Sequence, residues 1–569
     1  MTARTGMNRC TECLICSKET EAMKIEIKKR PEEIFGEYEK GVAFNKRVGD
    51  DGLYEAVERY ENFYIGRQWE GVNAPDLEKP VLNFTHRVVS YCISMLVADD
   101  VGVSLAPFRR STQREAMCRV LSDEVTRVVE RCRLKTEARE ALRSCAVDGD
   151  TALYFYLDED QSRGEAAVGE IACMLVENTK VIFGNPYNPR VEGQPFIILV
   201  MRRQVQEARE MAKKNGAGKD AIDAIRPDSE SNYGETDTAA DDLTTTLIKM
   251  WKEDGKLCWM EVCRHAVLQK ERTTEHRRYP IAWMNWESVR GSYHGHGIME
   301  GMIPNQIFVN KLWAMMMVQV KNMAFPKVLY DGTLIKTWTN KVGDAIRVNG
   351  SVDKAVAQNL RGGDFSAQAM ELVEKTISYT KDYMGANDVA LGNVTPDNAA
   401  AIIATSKASS APLELQRLAY FQLMEDCVRI IADQMASDYG MRTVSVDGET
   451  AVQLGALGDV DPAMVPDQMD IVIDFADMNL DEMELNVDVG TSAYWSELAQ
   501  QQSADNLLKA GIIKDAADYV ERIPDKWIKN KAGLLKKLKE QQQQMTQQAQ
   551  VMGGGQLAQM NGGGMNYAQ

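Results

Sequence analysis

The sequence predicts an α+β chain, and three features of its patterning predict it. Several segments carry apolar residues at helical spacing, others alternate apolar and polar residues between turn formers, and one central helix is apolar on nearly every side. With 44% hydrophobic and 26% charged residues, the composition is that of an ordinary folded protein. A chain of 569 residues can form two to four domains, or one elongated subunit whose regions pack against neighbouring copies.

Residues 1–40 are expected to be an N-terminal extension, partly disordered, whose end overlaps an amphipathic stretch over 34–64. That stretch leads into YIGRQWEG, and a loop then delivers the chain to KPVLNFTHRVVSYCISMLVADD, where Val88, Cys92, Met95 and Leu96 predict a helix. A second helical block covers 113–145, after which TALYFYLDED and IACMLVENTKVIFGNP predict strands. A short charged helix over 203–214 precedes a polar, flexible loop over 229–242. Further strands in LIKMWKEDGKLCWMEVCRHAVL turn at Asp254-Gly255, and RRYPIAWMNWE leads to a glycine-rich connector over 291–301.

Pro304 is expected to open the central helix and Phe325-Pro326 to close it, a length of roughly 30 Å at 1.5 Å per residue. Ile307, Phe308, Leu312, Trp313, Met315, Met316, Met317, Val318, Val320 and Met323 lie nearly all round it, so it must be covered on several sides. Asn310, Lys311, Gln319, Lys321 and Asn322 interrupt it, which excludes a membrane span. Short strands and turns follow over 327–365, then a helix from Ser366 with Gly385 as its stop, and a loop over 386–394. Thr395-Pro396-Asp397 predicts the start of a long helix reaching about Tyr439 and kinked at Pro412. The segment 441–500 has thirteen acids against Arg442 alone and contains MDIVIDF, a predicted strand. Helices are predicted over 496–510, 514–521 and 526–540, and the uncharged Gln/Gly/Met tail, 541–569, is expected to be disordered.

No apolar run approaches the roughly 18 to 20 residues needed to cross a bilayer. The N-terminus, MTARTGMNRCTEC, has no apolar core behind its basic residues. The protein is therefore expected in the cytosol when made, with its eleven cysteines reduced. A net charge of −17 argues against tight wrapping of nucleic acid, but is compatible with a surface along which DNA slides.

Candidate chemistry is sparse. Cys10, Cys13 and Cys16 have a metal-like spacing without a fourth ligand nearby, which favours an unliganded terminus. His294 and His296 in YHGHG could meet a metal, but glycines on both sides and no acidic third ligand favour a flexible turn. Gly216-Ala217-Gly218-Lys219 resembles a phosphate loop, yet it lacks the first glycine and the hydroxyl after the lysine, so a helix-ending turn is preferred. Asp474, Asp477, Asp481, Glu482 and Glu484 could hold a hard cation, but read more simply as an acidic face. The methionines at 315–317 and 323 could form an adaptable partner surface and read more simply as helix packing.

The order of YIGRQW, KPVLN, YPIAWMNWE, MIPNQIFVNKLWAMMMVQVKNMAFPK and NVTPDNAAAIIATSKASSAPLELQ resembles the portal proteins of tailed bacteriophages over about residues 55–540. The resemblance implies a wing (41–296), a stem helix (297–326), a clip (327–365), a second stem helix (366–385) and a tunnel loop (386–394). A long kinked helix (395–440), acidic wing strands (441–495) and a helical crown (496–540) complete it. It implies a dodecameric ring at one capsid vertex, without enzymatic activity or cofactor, made in the host cytoplasm and ending in the virion. The ring would pass double-stranded DNA without reading its sequence during packaging, retention and ejection. It would dock the terminase motor, the major capsid and scaffolding proteins, and head-completion or tail adaptor proteins.

On this basis the DNA-channel candidates are Asn387, Asp388, Val389, Ala390, Leu391, Gly392 and Asn393, with Lys311, Lys321, Lys375 and Lys381 on the stem. The subunit-interface candidates are Ile307, Phe308, Trp313, Met316 and Met317. Two alternatives stay open: a packaging nuclease or ATPase, for which no complete catalytic motif is present, and a different head-to-tail adaptor ring, a class generally much shorter.

Overall fold

The structure, a computed structural model, describes residues 27–75, 77–97, 101–107, 111–158, 169–228, 242–325, 327–339, 346–351, 357–360, 367–383, 386, 411–455, 468–477, 483–489 and a few isolated positions between 519 and 538. It is a mixed α and β protein. The elements in chain order begin with α1 (Pro31–Asn45), α2 (Leu53–Ile65), α3 (Phe84–Val97), β1 (Val101–Pro107), α4 (Thr112–Arg131) and α5 (Leu134–Asp148). Next come β2 (Asp150–Asp158), β3 (Glu170–Val176), β4 (Val181–Phe183), β5 (Phe196–Gln204), α6 (Val205–Lys214), α7 (Lys219–Ala224), β6 (Leu243–Glu253), β7 (Lys256–Cys263) and β8 (Val267–Thr273). Then follow β9 (Ile281–Asn285), β10 (Glu287–Ser288), β11 (Gly295–His296), α8 (Ile298–Ala324), β12 (Lys327–Tyr330), β13 (Ala357–Leu360) and α9 (Ala367–Tyr383). The last are α10 (Glu414–Asp438), β14 (Met441–Asp447), α11 (Gly448–Gln453), β15 (Gln468–Asp474) and β16 (Met483–Val489).

The main sheet is antiparallel in the order β4-β5-β6-β7-β8, and a smaller one runs β3-β2-β9. Alternation along the strands decides what covers each face. Ile197, Leu199, Ile248 and Met250 point toward Ile281, Trp283 and Tyr293 from the β9 side. Ile198, Val200, Leu247 and Trp251 point toward Ile34, Phe35, Tyr38 and Val42 of α1. The β6–β7 hairpin turns at Asp254 and Gly255, both with positive φ, as the tight two-residue turn requires. Strand β15 realises the predicted MDIVIDF strand and pairs with β14.

The chain divides into two units. The first runs over Met1–Val97, Val103–Asn398 and Ala404–Val487, and holds nearly every element named above. The second comprises Ala98–Gly102, Ala399–Ile403 and Asp488–Gln569, few of which are among the described residues.

Two helical segments differ from expectation: the single block expected over 113–145 is two helices, α4 and α5, separated at Cys132 and Arg133, and the central helix begins early. The central helix starts at Ile298, not at Pro304, which lies inside it. Ile298, Met299, Met302 and Ile303 are buried, and the packing of that extra turn outweighs the one backbone hydrogen bond a proline removes. Pro412 sits in a short 3-10 turn, Ala411–Leu413, from which α10 follows, and the residues before it, on which the expected kink depends, lie outside the described residues. The expected start at Thr395, the crown helices as a whole, the tail and Cys10, Cys13 and Cys16 lie outside the described residues.

Candidate functional site

Helices α8 and α9 form an antiparallel hairpin whose connecting segment contains the β12–β13 ladder, Lys327 opposite Leu360 through Tyr330 opposite Ala357. Its inner seam is apolar: Val309 and Met316 of α8, Val373 of α9 and Phe84 of α3 are buried together, with Leu312, Trp313 and Ile377 packed against them. Asn305 Nδ2 donates to Thr380 Oγ1 at 3.1 Å and sets the register of the two helices.

The root of α8 is held by a network of side-chain amides that periodicity could not reveal. Gln306 Nε2 donates to the Leu82 carbonyl at 2.7 Å and to Asn310 Oδ1 at 2.9 Å. Asn310 Nδ2 donates to Gln68 Oε1 at 2.6 Å, and Gln68 Nε2 to Asn83 Oδ1 at 3.1 Å and to the Phe63 carbonyl at 2.9 Å. Asn83 Nδ2 closes the set on the Tyr64 carbonyl at 2.9 Å, while Trp69 Nε1 donates to the Pro80 carbonyl at 2.8 Å. Gln68, Gln306 and Asn310 are all buried, so these bonds form where water cannot replace them. YIGRQW, KPVLN and the Gln306/Asn310 pair, distant in sequence, thus meet at one place.

A second buried polar cluster precedes α8. His294 Nδ1 lies 2.9 Å from Asp150 Oδ2 and its Nε2 3.1 Å from Asn45 Oδ1, with both side chains of the His294–Asp150 pair fully buried. The Gly295 N–H also donates to Asp150 Oδ2, at 2.8 Å. YHGHG is therefore a packed junction and not the flexible turn expected of it. Its glycines allow backbone to approach backbone: a Cβ on Gly149, whose φ is +102°, would fall 2.5 Å from the Gly295 carbonyl, and one on Gly297 2.7 Å from that of Val147. Burial, joined by the nearby Glu61 charge, pushes the Asp148 carboxyl well above the usual carboxylate range. His296 is exposed and pairs with Glu300 on the first turn of α8.

Among the described residues, several apolar side chains of the hairpin beyond its root are exposed. Met315 is 61% exposed, Val320 60%, Met323 51% and Phe325 68%, whereas the same helix near Ile298–Ile303 is buried. Of the interface candidates, Phe308 and Met317 are exposed and Ile307 and Trp313 half-buried. Met316 differs from that expectation: it is buried in its own chain's seam with Val309, Val373 and Phe84. Among the channel candidates, Lys311 is exposed, Lys321 lies 3.9 Å from Glu78, Lys375 pairs with Glu371 at 2.7 Å, and Lys381 is half-buried. Residues Asn387 to Asn393 lie outside the described residues. Ala386, just before them, is buried and donates its N–H to the Lys381 carbonyl at 3.0 Å.

The remaining candidates resolve into local structure. Gly216 has a φ of +79° and ends α6, and Asn215 Nδ2 donates to the Leu268 carbonyl at 2.6 Å, so that segment is the helix-ending turn. Asp474 accepts the Ala476 N–H at 3.0 Å in a turn. The side chains of Asp477, Asp481, Glu482 and Glu484 lie outside the described residues. Glu253, Cys258 and Glu271 could converge on a metal ion, but the Lys29 ammonium sits there, 2.7 and 2.9 Å from the Glu271 carboxylate and 5.3 Å from the Trp251 ring centre. Its hydrogen bond to Glu271 raises the Lys29 pKa, as a cation neutralising this cluster requires. Among the described residues, no helix is long and apolar enough to cross a membrane. No protein-family model matches this chain, and no curated protein matches it.

Proposed function

We propose that this chain is the ring subunit of a tailed-bacteriophage portal, a non-enzymatic conduit for double-stranded DNA at one capsid vertex. The observation that carries the proposal is the α8–α9 hairpin: its root is locked by buried amides, its seam is closed, and its apolar tip is uncovered. An isolated subunit has no use for such a tip, because an exposed apolar patch of this kind marks a contact surface. Copies arranged head to tail around an axis would cover it and close into a ring. Energy for moving DNA would come from a terminase motor docked at the β12–β13 end. The scaffolding and major capsid proteins would hold the ring from outside, and adaptor proteins would seal it afterwards.

In this proposal DNA meets weak, sequence-blind contacts. Lys311, Lys321 and Lys375 offer exposed or partly paired charge, and the overall charge of −17 opposes sticking. Val389 to Leu391 would form a soft apolar collar. Replacing those three residues with glycine is expected to leave rings intact and reduce packaged, retained DNA. Normal packaging and retention in that variant would remove the collar from the proposal.

A further inference from the structure

We infer that Glu253, Cys258 and Glu271 form a binding site for a thiophilic divalent cation of the zinc class, and that the Lys29 ammonium is the resident cation such an ion displaces. The inference stands apart from the ring reading above.

The register of the main sheet brings the three ligands together. Trp251 of β6 lies opposite Cys258 of β7, and Cys258 lies opposite Thr273 of β8. Glu253 is two residues along β6 from Trp251, and Glu271 two residues along β8 from Thr273. All three candidates therefore project from one face of three neighbouring strands, the face on which α1 packs. One sulfur and two carboxylate oxygens there lie within 4.8 Å of one another. Tetrahedral coordination brings such atoms to about 3.5 Å apart, given the bond lengths zinc takes to sulfur and oxygen. Both glutamates are exposed and free to close that gap, while Cys258, 1% exposed, is fixed by packing.

A cation already occupies this place. Lys29 Nζ donates to both Glu271 oxygens, at 2.7 and 2.9 Å, and Glu253 and Cys258 act on the same charge. An ammonium satisfies the carboxylates but makes no bond to sulfur, and Cys258 Sγ instead meets the Thr273 hydroxyl at 3.4 Å. The sulfur sets the class of ion: zinc-class cations take thiolate and carboxylate together, whereas magnesium and calcium take oxygen alone. Three protein ligands leave the fourth tetrahedral position to water. The side chains of Lys29 and Glu271 are 44% and 35% exposed, so solvent screens their pairing and its loss opposes metal binding only weakly. As the ion binds, the Cys258 thiol gives its proton to solvent and Lys29 leaves Glu271. The adjacent Lys28 carbonyl still accepts from Lys249 Nζ at 2.8 Å, which holds the chain in place while the Lys29 side chain swings out.

The test uses the full-length chain with Cys10, Cys13 and Cys16 replaced by serine, which removes the closely spaced thiols at its start, titrated with cadmium chloride and then with zinc chloride. Cadmium should bind at one ion per chain with the ultraviolet absorption of a cadmium–thiolate bond, and zinc should bleach that absorption by displacing it. Cys258→Ser should abolish the absorption. Glu253→Gln, an exposed substitution that leaves packing untouched, should weaken binding by an order of magnitude or more. Lys29→Gln should tighten it severalfold, because the competing charge is gone. Circular dichroism checks that each variant is folded, and if Cys258→Ser is not, Glu253→Gln decides the matter. No stoichiometric binding, or binding indifferent to both Cys258→Ser and Glu253→Gln, would overturn the site. Equal affinity in Lys29→Gln and its parent would overturn the exchange with Lys29.

Discussion

Gln306 donates two hydrogen bonds from a site closed to water, to a loop carbonyl and to Asn310. Replacing it with leucine keeps the volume but orphans the Leu82 carbonyl, and an unsatisfied buried group costs about 1–3 kcal/mol. Gln306→Leu should therefore lower the urea midpoint of unfolding without changing the slope; an unchanged midpoint would mean the network contributes nothing to holding the hairpin root. Such amides are nearly illegible in a sequence: Asn310 shows only as a polar interruption of the central helix, and it and Gln68 become partners only through the fold. His294 failed for the same reason. Its glycine neighbours suggested mobility, and only the approach of Asp150 and Asn45 reveals why glycine is required there.

At the scale of elements, α8 separates the two kinds of apolar residue that its sequence could not. Met315 and Met316 are adjacent and chemically identical, yet one is 61% and the other 8% exposed. Met316→Ala should cost about 2–5 kcal/mol of folding stability by opening a cavity in the seam. Met315→Ala should change folding by less than about 0.5 kcal/mol while weakening assembly. Thermal melts of dilute protein, compared with sedimentation of concentrated protein, would distinguish the two, and equal effects on folding would contradict the assigned faces. Apolar periodicity located α8, α9 and the β6–β7 hairpin because those elements bury regular faces. It misplaced the start of α8, where tertiary packing overrides the proline signal.

At the scale of the whole molecule, the mixed α and β class was legible from composition and alternation. Which apolar surface belongs inside the subunit and which to a neighbour was not, since both use the same residues. The direct measurement is electron microscopy of the purified full-length protein at micromolar concentration, alone and with its capsid scaffold supplied. Closed rings with an axial channel, the hairpins packed side by side around it, are the predicted result. Particles that remain single subunits under both conditions would contradict the proposal that this chain is a portal ring subunit.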